Sequence, residues 1–185
     1  MAVLHLRGGS ALSPFRLDKL NQRIRDTAGG PLVLAARFWH LVEVDGAPTD
    51  RAREMLVRLL TYGEHPDAPD PDASQSLLVT PRVGTISPWS SKATDIVRHC
   101  GLDAVRRVER ATMFLLGAGD VQAIVPVLHD RMTESVLGSL AEADVLFRHV
   151  APRPLASIDV LGRGREAILE ANLVYGLALT DDEAD

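Results

Sequence analysis

One cysteine, Cys100, stands in 185 residues, which excludes a disulfide within the chain and a cysteine-based zinc site. A lone thiol fits a reducing, cytoplasmic compartment. Aromatic residues are scarce at 4%, so within an apolar content of 46% the packing falls to Leu, Val, Ile and Ala. No block of Lys or Arg occurs and the net charge is −5. A nucleic-acid partner would need a basic face, and often exposed aromatics, so none is expected. No apolar run approaches the roughly twenty residues that span a bilayer. The opening "MAVLHLRGGSALSPF" lacks the basic start and apolar core of a signal peptide. Composition thus describes a soluble cytoplasmic protein with no membrane partner, long enough for one ordinary domain or a domain plus an appendage.

What is present is a pattern that occurs twice. A short apolar run, Val3 to Leu6, precedes "SPFRLDKLNQRIRD", where Leu17, Leu20 and Ile24 share a helical face. "PLVLAARFWHLVEV" reads as a long strand, and "TDRAREMLVRLLTYG" as a helix through Met55, Leu56, Leu59 and Leu60. In the second half "LLVT" is a strand, "SPWSSKATDIVRHCG" a helix, "AVRRVERATMFLLG" a long strand and "DVQAIVPVLHD" helical in its opening; "RMTESVL" reads as a closing strand. A constant offset of 74 lays Ser13-Pro14-Phe15 over Ser87-Pro88-Trp89. The shared order favours a duplication. The expected fold is α+β: duplicated βαβα-type units forming a ferredoxin-like, mainly antiparallel sheet with helices on one face, then a partly helical tail. The expected boundaries are a domain over 1–150, with pseudo-repeats at about 1–62 and 77–150, and a tail over 151–185. "GEHPDAPDPDASQS", 63–76, has three prolines and four acidic residues and reads as a surface linker. In the tail, Ile168, Leu169, Leu173 and Leu177 have helical spacing.

Residue chemistry alone offers no convincing active site. Ser87 reads as a helix cap with Pro88 in the first turn, followed by an apolar stripe of Trp89, Ala93, Ile96, Val97 and Cys100. Ser87, Ser90, Ser91 and Lys92 also gather donors at a helix start, which suits an anion or an interface. His99 and Cys100 are adjacent on a helix, about 100° apart, poor geometry for a catalytic pair, so burial of Cys100 is expected. The six histidines show no HxxxH pair with a third ligand. In "LHDRMTES" a strand would put His129, Arg131 and Thr133 on one face, and Asp130, Met132 and Glu134 on the other. That cluster reads as a solvated edge or docking surface. Gly162, Gly164 and Ala167 have the G-x-G-x-x-A spacing, but no second parallel strand follows, so a turn into a helix is expected.

Five segments in order, "LRGGSALSPFRLDKL", "TPRVGTISPWSSKATDI", "VERATMF", "LHDRMTE" and "LGRGREAILEANLVYGLALTDDE", resemble the N-terminal region of the large single-chain phosphoribosylformylglycinamidine synthases, the formylglycinamide ribonucleotide amidotransferases. Those enzymes use ATP and glutamine-derived ammonia to make an amidine in purine biosynthesis. The resemblance implies that 1 to about 150 form an N-terminal domain similar to a dimer of the small subunit of split enzymes, and that 151 onward begins a linker. It implies that the glutaminase cysteine and the ATP and magnesium ligands lie in downstream segments, so that no catalytic residue, cofactor or metal is assigned here. The chain is then expected to be a monomeric fragment whose partners are the synthetase and glutaminase domains of the same enzyme. The expected docking surface is Ser87, Ser90, Ser91, Lys92 and Thr94 with His129, Arg131, Thr133 and Glu134. Two other classes fit the same residues: a regulatory module binding a small ligand between its halves, and a homo-oligomeric structural protein.

Overall fold

The computed structural model describes residues 2–63, 69–148 and 154–184. These fall into two compact units, Met1–His149 and Val150–Asp185. In the first unit β1 (Ala2–Ser10), α1 (Pro14–Thr27), β2 (Val33–Val44) and α2 (Asp50–Leu60) are followed by β3 (Gln75–Pro81), α3 (Pro88–His99) and β4 (Val105–Leu116). After a 3-10 turn at Val121–Ala123 come α4 (Val125–Leu128), β5 (Glu134–Leu137) and a 3-10 segment, Leu140–Phe147. The five strands form one sheet in the order β1-β2-β4-β3-β5, each neighbouring pair antiparallel.

The long central pair carries the symmetry of the sequence. Phe38 of β2 faces Thr112 of β4, the residue 74 positions on, and His40↔Arg110 is mirrored by Ala36↔Phe114. A local twofold therefore runs through the Phe38–Thr112 pair. Strand periodicity of two divides the core between two faces. On one face Val42, Val44 and Val108 meet Leu56 and Leu60 of α2 and Val97 of α3, while Val33, Ala36, Phe114 and Leu116 meet Ile24 of α1 and Ile124 and Leu128 near α4. On the other face Leu41, Leu78 and Ala111 are covered by Ala143, Leu146 and Phe147 of the 3-10 segment. The helices thus share one face, and the second is closed by a shorter element that periodicity did not reveal.

The acidic linker is tied down at its described end, 64–68 lying outside the described residues. Arg37, 4% exposed, donates Nε to Asp70 Oδ1 (2.7 Å), Nη1 to Ser10 Oγ (2.6 Å) and Nη2 to the Pro69 carbonyl (2.9 Å). Arg7 adds a 2.8 Å bond from Nη2 to Asp70 Oδ1. These bonds, Arg7's first, hold the Asp70 carboxyl below its ordinary range against the opposing effect of burial.

Two expectations fail in detail. Cys100 is exposed, and Ile96 is 51% exposed. Gly101, at φ +83, turns the chain so that Leu102, 8% exposed, takes the core position beyond α3. In the second unit α5 (Val160–Arg163) and α6 (Arg165–Tyr175) bury Ala167 and Ala171, leaving Leu173 and Leu177 exposed. Among the described residues no strand leads directly into the Gly162–Ala167 spacing, and the Gly162 amide is already taken by Asp159 Oδ1 at 2.9 Å, which speaks against the dinucleotide reading.

Candidate functional site

β4 pairs with β3 only from Thr112 to Leu116, although β2 accompanies it back to Val105. Along the remainder, the loop from β3 to α3 runs where a strand would lie, and its polar groups need partners. Glu109 supplies them. Its side chain is 0% exposed; it accepts the Ser87 hydroxyl at 2.9 Å and the Ser87 amide at 3.3 Å. Arg107 donates Nε (3.1 Å) and Nη2 (2.6 Å) to Glu109 Oε1. The same guanidinium donates to the Thr85 carbonyl at 2.7 Å and to the Leu146 carbonyl at 2.9 Å, and lies 5.4 Å from the Phe147 ring centre. One buried ion pair thus joins the start of α3, the preceding loop and the 3-10 segment of the opposite face.

β3 parts from β4 after Val79 and continues beside β5, with Thr80 opposite Ser135. A cavity of about 420 Å³ opens in the gap. Phe38, Arg110 and Thr112 line it from the sheet, Ser87 and Trp89 from the cap and first turn of α3, Met132 and Thr133 from the turn before β5, and Glu134 from the start of β5. The Arg110 guanidinium carbon lies 4.3 Å from the Phe38 ring centre and 4.7 Å from that of Trp89, a cation–π arrangement. Its Nη1 donates to Tyr62 Oη at 3.2 Å. Beneath it His40, 0% exposed, has Nε2 2.8 Å from the same oxygen and no partner for Nδ1. Its ring sits so close to β1 that a Cβ on Gly8 would lie 2.7 Å from His40 Cε1. Burial, with the Arg110 charge second, pushes the imidazole down to about 4, so the ring is neutral at neutral pH.

Of the nine residues expected on a docking surface, Ser87, Thr133 and Glu134 meet around this cavity. Ser91 and Lys92 are exposed on α3, and Arg131 is exposed in the turn. Ser90 and Thr94 are withdrawn from that surface: they are 0% and 8% exposed, and Thr94 Oγ1 accepts the Val108 amide at 3.0 Å. Their position on α3 faces the sheet. The expected strand through His129 is also corrected, since β5 starts only at Glu134. Asp130 Oδ1 accepts the Met132 amide and Glu134 Oε2 the Asp130 amide, both at 2.7 Å. These bonds hold a turn, and His129 Nδ1 lies 2.6 Å from the Val125 carbonyl. His129, Arg131 and Thr133 therefore share no strand face.

Glu109, Arg107, Arg110, His40 and Tyr62 were missed. A signal was available: "VRRVERATMF" carries four charges in a strand otherwise read as central. The offset of 74 sharpens it, because Glu109 and Arg110 lie over Ala35 and Ala36 of the first half. The corresponding positions of the first half carry no charge. Among the described residues no group of three or more His, Cys, Asp or Glu is placed to hold a metal ion. No helix among them is long and apolar enough to cross a membrane.

The two caps provide an internal control. Ser13 Oγ accepts the Arg16 amide at 3.4 Å, and Ser87 Oγ the Ser90 amide at 3.0 Å while donating to Glu109. Ser13→Ala is expected to cost about 0.5 kcal/mol, and Ser87→Ala about 2 kcal/mol, because the latter also strips a buried carboxylate of a donor. Urea unfolding of the two variants side by side measures the difference; equal losses would contradict it.

Residues 37–147, spanning β2 to the end of the 3-10 segment, match the family model described as formylglycinamide ribonucleotide amidotransferase N-terminal. The match takes in every residue of the Glu109 clamp and of the cavity lining.

Proposed function

Because the chain belongs to the formylglycinamide ribonucleotide amidotransferase N-terminal family, and so has its role in that amidotransferase of purine biosynthesis, we propose that it is the enzyme's docking and coupling domain. Ammonia released from glutamine at one centre must reach an activated amide at another without loss to water. A rigid domain in contact with both parts holds them in register and excludes solvent. ATP, magnesium and the glutaminase nucleophile belong, in this reading, to the other domains, and no residue described here takes a catalytic role. The observation that carries the proposal is the cavity between α3 and the turn before β5. Its rim brings together Ser87, Thr133 and Glu134, and its loop is held from beneath by Glu109 and Arg107. A surface pre-organised in that way binds a partner with little ordering cost.

The test is complementation. The chain is mixed with separately expressed synthetase and glutaminase domains of the same enzyme, and glutamine-dependent amidine formation is assayed. Neither piece is expected to turn over alone, and the mixture is expected to recover activity that saturates with added chain. Full activity of the other domains without this chain would end the proposal.

A further inference from the structure

We propose that the cavity beside α3 receives an acidic side chain: an aspartate or glutamate with aliphatic neighbours, carried on a segment of the enzyme's other domains. This deepens the docking role and rests on it. Arg110 carries the argument. Its guanidinium lies over the rings of both Phe38 and Trp89 and one edge nitrogen is engaged by Tyr62. Among the described residues it forms no ion pair with a carboxylate. A stacked guanidinium keeps its charge and offers its edge to a planar oxyanion.

A second cation stands at the same cavity. Arg82 lines it, donates Nη1 to the Met132 carbonyl at 3.2 Å, and likewise forms no ion pair with a described residue. The carboxylate on the wall, Glu134, turns Oε2 back to the Asp130 amide. Two guanidiniums against one engaged carboxylate leave the cavity complementary to negative charge.

The rim decides between a free anion and a protein segment. Ile86 is 62% exposed and Met132 75% exposed, and both line the opening. Apolar side chains around a cationic floor reward a ligand whose charged tip is flanked by aliphatic groups, which inorganic phosphate is not. The duplication shows that the fold does not need these features. In the first half Ala36 stands in place of Arg110 and Phe15, in place of Trp89, is 76% exposed.

Trp89, stacked on Arg110, reports on the cavity in a Trp39→Phe background. Its fluorescence is followed while acetyl-Leu-Glu-Leu-amide, its Gln counterpart or inorganic phosphate is added at constant ionic strength. The Glu peptide is expected to saturate the signal, with the Gln peptide about tenfold weaker, the difference between a charged and a neutral hydrogen-bond partner. Phosphate is expected to be weaker than the Glu peptide. Arg110→Gln should abolish the Glu-over-Gln preference and Arg110→Lys restore only part of it. Arg82→Gln, on the exposed rim, tests the same preference without disturbing the aromatic stack. Equal response to both peptides, or tighter binding of phosphate, overturns the inference. Intact complementation by Arg110→Gln, with no peptide preference in the parent chain, would overturn it while leaving the docking role standing.

Discussion

Glu109→Ala is expected to lower folding stability by about 4 kcal/mol, the range for removing one member of a buried ion pair. The carboxylate is fully buried and Arg107 only 15% exposed. Its loss leaves that guanidinium without its counterion and the Ser87 hydroxyl and amide without their acceptor. Reversible urea denaturation of the chain and the variant measures the change. The double variant Arg107→Met with Glu109→Leu separates stability from specificity. With both charges gone no buried ion is orphaned, and most of the lost stability is expected to return. The loop Arg82–Ser87 then keeps none of its Glu109 or Arg107 bonds, so complementation is expected to fall more than tenfold although the domain is folded. A double variant as unstable as Glu109→Ala would mean that overpacking or lost loop bonds, not the orphaned charge, sets the cost. A stable double variant with full complementation would show that the clamp does not order the docking surface.

Acidification is expected to weaken the fold through His40 before it reaches the carboxylates. The group titrates near its ordinary 6.5 when unfolded and at about 4 when folded. Above 6.5 both states hold the neutral ring and its contribution to the pH dependence is nil. As pH falls from 6.5 towards 4 the unfolded state takes up the proton first, so stability drops, and below about 4 the loss is complete. The displacement corresponds to about 3 kcal/mol. Asp70, held below its ordinary 3.8 by Arg7 and Arg37, loses its contribution only at lower pH as it protonates. His40→Phe keeps a ring between Tyr62 and Trp89 but cannot take the proton. Denaturation at about pH 7 and about pH 4 is expected to show the full loss for the parent chain and a much smaller one for the variant. A variant with the parent's slope would place the titration elsewhere.

How much of this was open to sequence reading depends on whether a signal is local. The helix starts are local: Ser13-Pro14 and Ser87-Pro88 announce themselves because the cap and the first turn involve residues three apart. The "SPWSSKATDI" stretch is accordingly a capped helix, as read, with Ser87 also part of a wider network. Cys100 was misread because a period of 3.6 continues on paper through the turn where Gly101 reverses the chain. The turn at Asp130–Thr133 was misread as strand because its two side-chain bonds compete with an extended backbone and leave no periodic trace.

By itself the sequence determined the order of the main strands and helices, the helix caps and, through five ordered segments, the family. Each is written in short-range spacing or in recurrent order, which burial and capping impose directly on neighbouring residues. Only the tertiary structure decided that β3 leaves β4 early, that Glu109 and Arg107 fill the vacated edge, and that Arg110 is caught between Phe38 and Trp89 above a neutral His40. Those facts depend on residues distant in sequence, such as Phe38 and Arg110, meeting across a sheet. A charged residue in a strand has the same one-letter code whether it meets water, an opposite charge or an aromatic face, and only the packed neighbours settle which.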